Sequence, residues 1–332
     1  MRRRSLMTML PAAGLALAAA RPAAAQPALS GRLVLYTSQP DRDASQTVEA
    51  FRKRHPGVTV EVFRSGTTEV MNKLQAEFTA GDPRPDVLLI ADAVTMEQLK
   101  AQNRLMAHPG GDLAQIPAGA YDPERFYFGT KLITTGIVVH NSAPFRPASW
   151  TDLARPEAKG QVVLPSPLYS GAAAIHMAAL GEAPGVGPGL YEQLARNGAI
   201  AVRGNGAVLQ QVAGGQKMFG FLVEFMALNA QKRGSPVTFI FPRDGVSAVT
   251  EPVAALRTAR NPEAARAFID FLLSREGQEM AVSQGYMPAR RDVRPPEGFP
   301  SLDEVKLLPI NLGAAMREDE ANKRRFADLF GG

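Results

Sequence analysis

The chain has 332 residues, a formal net charge of +5, 45% apolar residues and no cysteine. Without a thiol it can hold no disulfide, no lipid on an N-terminal cysteine, no thiolate metal site and no cysteine nucleophile. Setting aside Arg2, Arg3, Arg4 and Arg21 leaves about +1, and with no long basic run or RNA-binding aromatic motif there is no case for nucleic acid.

Arg2, Arg3 and Arg4 form a positive start, residues 6–20 are apolar and uncharged, and Ala23, Ala24 and Ala25 supply small residues for a peptidase. Residues 1–25 therefore read as a signal peptide cleaved after Ala25, with the mature protein exported to the periplasm. A membrane anchor fits less well, because the run is shorter than the roughly 20 residues a span needs and Arg21 interrupts it. Arg3-Arg4 also fits a twin-arginine signal, so the export route stays open.

The mature chain alternates strands and helices. Leu33-Val34-Leu35-Tyr36 is too continuously apolar for a half-exposed strand and reads as a buried parallel one. Val48 and Phe51 mark a helix that Pro56-Gly57 stops. Residues 58–62 alternate as a second strand, and Val70, Met71, Leu74 and Phe78 share one face of a second helix. Residues 86–90 form a third strand, followed by a helical segment through Met96 and Leu99. This order predicts a doubly wound α/β unit.

A second α/β unit starts after residues 136–139, with a strand at 160–164, a helix at 172–180 and renewed patterning after 217–222. Trp150, the only tryptophan, has a packing role, and the Pro- and Gly-containing stretch 183–189 is a surface connection. Length alone predicts about two domains. Near the C-terminal end, the apolar strand 251–256 leads to a helix opened by Asn261-Pro262-Glu263 and closed by Phe271-Leu272-Leu273, then to a Ser274-Arg275-Glu276-Gly277-Gln278 turn.

That last stretch, together with Tyr36-Thr37-Ser38-Gln39, Pro85-Asp86-Val87-Leu88 and Ser170-Gly171-Ala172 in their order and spacing, resembles the solute-binding subunits of bacterial ABC importers, in the group that holds the ferric-iron-binding proteins. The resemblance covers nearly the whole mature chain. It implies a type II periplasmic binding protein: two doubly wound α/β lobes joined by hinge strands, a ligand cleft between them, and closure on binding. On this basis lobe 1 is expected at 28–133 plus 246–285 and lobe 2 at 134–245 plus 286–330. It also implies a monomer that delivers its ligand to a membrane permease with a cytoplasmic ATPase. A sensing role would share the same fold and ligand.

Ligands of open α/β sheets sit beyond the carboxyl ends of the strands, where loops open helices whose free N–H groups favour anions. Three such loops stand out: Thr37-Ser38-Gln39, Ser65-Gly66-Thr67-Thr68 and Ser170-Gly171-Ala172. As ordinary caps these hydroxyls would be worth about 1 kcal/mol each and touch no ligand. Asp92, just after the third strand, is placed either in the cleft or as a helix cap. The family's iron binders resemble one another in a pair of adjacent tyrosines, and the matching pair here is Glu224-Phe225. The position that often carries a histidine is Pro40, and the one that can carry a glutamate is Ala91.

A ferric ion calls for several anionic oxygens, and Tyr36, Tyr169 and Tyr286 are scattered. His55, His108, His140 and His176 show no ligand spacing either. No metal ligand and no cofactor is therefore assigned. A carboxylate followed by an aromatic resembles instead the branch that binds organic phosphates or phosphonates. Glu224, alone in the apolar run 221–226, then becomes the acceptor for an ammonium or sugar hydroxyl. The expected ligand is a small organic anion such as 2-aminoethylphosphonate or a sugar phosphate; ferric iron is the alternative. No catalytic residue is assigned, since no Gly-x-Ser-x-Gly elbow, His-Glu-x-x-His or dinucleotide glycine motif occurs.

Overall fold

The computed structural model describes residues 28–299 and 305–331. The expected signal peptide lies outside them, and no described helix is long and apolar enough to cross a membrane.

The first lobe begins with β1 (Ser30–Thr37), α1 (Asp41–Arg54), β2 (Gly57–Arg64), α2 (Thr67–Thr79), β3 (Val87–Leu89), α3 (Ala93–Ala101), β4 (Leu105–Met106) and β5 (Phe128–Gly129). β1 pairs in parallel with β2 and β3. Its continuous apolar run follows from cover on both faces. Leu33 and Leu35 pack with Phe51 of α1, while Val34 and Tyr36 pack with Val70 and Leu74 of α2.

The chain then crosses into β6 (Lys131–His140), and the second lobe continues with β7 (Val162–Pro165), α4 (Gly171–Glu182), α5 (Leu190–Arg196), β8 (Ile200–Val202), α6 (Asn205–Ala213), β9 (Phe219–Val223), α7 (Glu224–Lys232), β10 (Val237–Ile240) and β11 (Ser247–Val249). The sheet order is β10-β6-β9-β7-β8, with β7 parallel to β8 and β9 while β6 runs antiparallel to β9. Trp150 is fully buried here; its indole N–H donates to the Gly245 carbonyl at 2.8 Å and its ring meets His176 and Phe221.

A second crossing returns the chain to the first sheet as β12 (Pro252–Leu256), antiparallel to β3, so that sheet reads β2-β1-β3-β12-β4 with β5 also on β12. α8 (Pro262–Leu273) and α9 (Arg275–Ser283) follow, and β13 (Met287–Pro288) pairs with the start of β6, beside the first crossing. α10 (Leu312–Phe330) closes the chain, burying Phe326 against Tyr191 of α5.

The expected lobe boundaries need adjusting. Ser247–Val249 pairs with β6 in the second sheet, so the crossing falls at 250–251, where both Thr130 and Lys131 N–H groups donate to the Thr250 carbonyl. After β13 the chain is still on the first lobe at Arg290, which reaches Asp112 and Leu273, and it meets the second at Glu297, whose carbonyl accepts from Lys232 of α7. Likewise the expected turn at 274–278 is the start of α9, capped by Ser274 on the Gly277 N–H at 3.2 Å.

Asn261 opens α8 and anchors it to the sheet. Its carbonyl oxygen accepts from the Ala264 N–H at 3.2 Å, and its amide donates to the Ser30 and Arg32 carbonyls, each at 3.1 Å. Asn261→Ala should cost about 1–2 kcal/mol in urea unfolding, the sum of a lost cap and two exposed bonds. An unchanged midpoint would show that the cap carries no net stability.

Candidate functional site

A cavity of about 350 Å³ lies between the lobes, at the carboxyl ends of the parallel strands. The first lobe lines it with the loops that open α1 and α2, at Ser38, Pro40, Asp41, Arg64, Gly66 and Thr67, and with Ala91 after β3. The second lobe contributes the starts of α4, α6 and α7, at Tyr169–Ala172, Arg203–Ala207 and Val223, Phe225 and Met226. Ile133, Glu251 and Tyr286, all beside the crossings, make its floor.

Helix caps distinguish this place from the rest of the fold. Among the described residues five helices, α3, α4, α8, α9 and α10, are closed by a side chain that accepts from the first turn. α1, α2, α5, α6 and α7 have no such cap, and four of these five begin on the cavity. α2 and α6 start after Gly66 and Gly204, so no side chain shields their first N–H groups. Orphan donors at a helix start are satisfied by caps, water or ligand, and the helix dipole makes an anion the favoured ligand.

Two arginines stand at the mouth. The Arg203 guanidinium of the second lobe donates to both carboxylate oxygens of Glu69 in α2, each at 2.8 Å, and lies 4.5 Å from the centre of the Tyr169 ring. Arg64 donates to the Gln39 carbonyl at 2.6 Å and to the Tyr169 hydroxyl at 3.3 Å. Ser65 donates to Glu69 as well, and these bonds with Arg203 hold that carboxyl below its usual range. The lobes are thus in contact. A methyl group added at Gly66 would sit 2.4 Å from the Tyr169 carbonyl, and one at Gly171 would sit 2.7 Å from the Ala91 carbonyl.

The floor is ionic and buried. The Lys131 ammonium meets Glu251 at 2.6 Å and lies 3.9 Å from the centre of the Tyr286 ring. The Tyr286 hydroxyl donates to Asp43 at 2.7 Å, and Gln39 donates to Glu251 at 3.4 Å. Burial pushes the Glu251 carboxyl up, opposed by Lys131. Burial and the neighbouring carboxylates push the Tyr286 phenol far above its usual value.

The loops expected from sequence divide on inspection. Ser38, Gly66, Thr67, Ser170, Gly171 and Ala172 face the cavity. Thr37, Gln39, Ser65, Thr68, Asp92 and Glu224 do not line it. Thr37 is buried and donates to the Leu89 carbonyl at 2.8 Å; Thr68 donates to the Pro167 carbonyl at 3.5 Å across the lobes. Asp92 caps α3, accepting from the N–H groups of Val94 and Thr95. Gln39 and Ser65 are committed to Glu251 and Glu69.

Glu224 departs furthest from expectation. It is 1% exposed, accepts from the Thr134 N–H at 2.6 Å, and leaves Oε1 buried without a partner. Burial pushes its carboxyl up to about 8. Phe225 and Met226 take the cavity face instead, so the carboxylate that reaches the cavity floor is Glu251.

Arg64, Arg203, Tyr169, Asn205, Glu251 and Tyr286 were not singled out as ligand contacts from sequence. A usable signal existed for Glu251, which stands directly before the apolar run 252–256 and, once buried, needs a partner.

Residues 33–287 match the family described as bacterial extracellular solute-binding protein. A Haemophilus influenzae protein of no stated function is 26% identical over 297 residues, spanning 85% of this chain and 82% of its own length. Among solved structures, the periplasmic binding protein AfuA of Actinobacillus pleuropneumoniae with fructose-6-phosphate bound matches with a TM-score of 0.82 at 21% identity, covering 90% of this chain and 98% of AfuA. Iron-bound HitA of Pseudomonas aeruginosa matches with a TM-score of 0.76 at 19% identity, covering 89% and 99%. The two solved structures establish a shared fold, and the family match across most of the chain adds membership: this protein belongs to the bacterial extracellular solute-binding proteins.

Proposed function

We propose that this protein is the periplasmic receptor of an ABC importer. In this reading it closes as a monomer around one small organic anion, a phosphonate or sugar phosphate, and delivers it to a permease with a cytoplasmic ATPase. The observation that carries this reading is the convergence of four helix starts without side-chain caps on one interlobe cavity. Phosphoryl oxygens would take the N–H groups of Gly66–Thr67, Gly171–Ala172 and Gly204–Asn205 together with the Ser38 and Ser170 hydroxyls. Arg64 and Arg203 would steer the anion inward. Phe225, Met226 and Ile133 offer apolar cover for its organic body.

The matched structures include both a sugar-phosphate complex and an iron complex. Iron has less support from this chain's residues. A tyrosinate ligand must lose its proton, whereas the phenols of Tyr36 and Tyr286 are pushed upward by burial and donate to Glu77 and Asp43. Among the described residues no group of three or more His, Asp or Glu is placed to hold a metal.

Thermal unfolding with inorganic phosphate, fructose 6-phosphate, 2-aminoethylphosphonate and ferric citrate tests the reading. An organic phosphate or phosphonate should raise the melting temperature, since a ligand at 100-fold excess over Kd stabilises by about 2.7 kcal/mol. A shift with ferric citrate alone would overturn it.

A further inference from the structure

Two crossings between the lobes and the strand β13 paired with the first of them meet at one cluster. Lys131 opens the first crossing, Glu251 lies in the second and Tyr286 directly precedes β13. Glu251 and Tyr286 line the cavity, whereas Lys131 and Asp43 lie behind them. The ion pair is therefore oriented, with its negative member facing the ligand space.

The surrounding charge points the same way. Two buried carboxylates stand at this cluster: Glu251 is paired with the buried Lys131 ammonium, and Asp43 accepts from the Tyr286 hydroxyl. Arg42 reaches Asp43 at 3.2 Å only from the solvent side, its own side chain 60% exposed. Both observed bonds to Glu251, from Lys131 and Gln39, fall on Oε2. The rings of Phe225 and Tyr286, 4.1 Å apart, flank the same floor and add π-faces to it.

The backbone carries a third sign. Glu251 has φ +39°, and of the non-glycine residues with positive φ among those described it is the one buried at the cavity. Such a conformation is strained and persists where the surroundings over-determine it, commonly at ligand sites.

We propose that Glu251 determines specificity by selecting, among small organic anions, those that carry a cationic amine at the end remote from the anionic group. This rests on the anion-binding reading given above and narrows it to zwitterionic ligands. The amine would be held by the Glu251 carboxylate against Tyr286 and Phe225, with the phosphonate at the helix starts. A charge-assisted bond of this kind distinguishes an ammonium from a methyl group of similar size. A site built around a buried polar group also rejects an analogue that leaves the group unpaired.

The test uses two probes of nearly the same shape, 2-aminoethylphosphonate and propylphosphonate, titrated calorimetrically into wild type and Glu251→Gln. Wild type should prefer the amine by about tenfold or more, and Glu251→Gln should erase most of that preference by weakening the amine probe alone. Lys131→Met supplies a second arm: with its counter-ion gone, burial drives Glu251 towards its neutral form, so the preference for the amine should shrink as it does in Glu251→Gln, and an undiminished preference would overturn the assignment. Melting curves of each variant establish folding. If Glu251→Gln weakens both probes equally, or neither, Glu251 only ties the crossings together and the inference fails while anion binding stands. If no phosphonate binds wild type, and fructose 6-phosphate does not either, the anion reading fails and takes this inference with it.

Discussion

Gly66→Ala should abolish tight ligand binding while leaving the unliganded protein folded. Gly66 has φ −64° and ψ 155°, a conformation open to alanine. Its local effects nearly cancel, because a poorer helix cap costs about 1 kcal/mol and a stiffer unfolded chain returns about 0.4–1 kcal/mol. The conflict arises only when the lobes meet, since the added methyl would sit 2.4 Å from the Tyr169 carbonyl and 2.5 Å from its ring. Backbone cannot yield there without reopening the cleft. If closure loses about 3 kcal/mol, affinity falls by about a hundredfold. Calorimetry with the ligand found for wild type reads the loss, and small-angle scattering should show that the variant no longer becomes more compact. Wild-type affinity in a folded Gly66→Ala protein would mean that the two loops do not meet in the bound state.

Glu224→Gln should stabilise the protein above neutrality and flatten its pH dependence. The wild-type carboxyl titrates at 4.5 when unfolded and at about 8 when folded, raised by burial. Between those values the folded state binds more protons than the unfolded one, so stability falls as pH rises. The fall is about 1.4 kcal/mol per pH unit at its steepest, with the full contribution present below 4.5 and lost above about 8. Glutamine keeps the shape and the hydrogen-bonding reach without titrating. Urea unfolding from pH 5 to pH 9 should give curves that nearly coincide at the acid end and diverge by several kcal/mol at the alkaline end, about the size of the linkage. Parallel curves would show that this carboxyl is solvated in the native protein. Because Glu224 does not line the cavity, ligand affinity at pH 7 should stay close to wild type.

The sequence reveals most of the scaffold because its strands are short, apolar and regularly spaced. The runs beginning at Leu33, Val58 and Val87 are strands for the reasons that composition suggests, as is the run ending at Leu256. The helix starts are harder to read. α6 opens on Gly204-Asn205-Gly206, residues that ordinarily mark a turn, and buries only Val208 and Val212, too little periodicity to announce nine helical residues. Tertiary cover by β9 and β7 makes it a helix, and the open cap that looks like a flaw in isolation faces the cavity.

Side-chain direction is harder still. Glu224 and Glu251 both stand alone beside apolar runs, and both are buried. Which of them meets the ligand depends on where β6 passes: its Thr134 N–H draws Glu224 inward, while its first residue, Lys131, supports Glu251 from behind. Arg64 and Arg203 are ordinary surface residues by pattern. Their place at the mouth follows from two loops of different lobes converging on Tyr169.

Native mass spectrometry of protein purified without denaturation, followed by release and identification of whatever it carries, tests most directly whether this receptor captures a small organic anion. One phosphorus-containing organic molecule per chain is the expected result. A stoichiometric ferric ion with a visible tyrosinate band, and no organic phosphate or phosphonate, would contradict it.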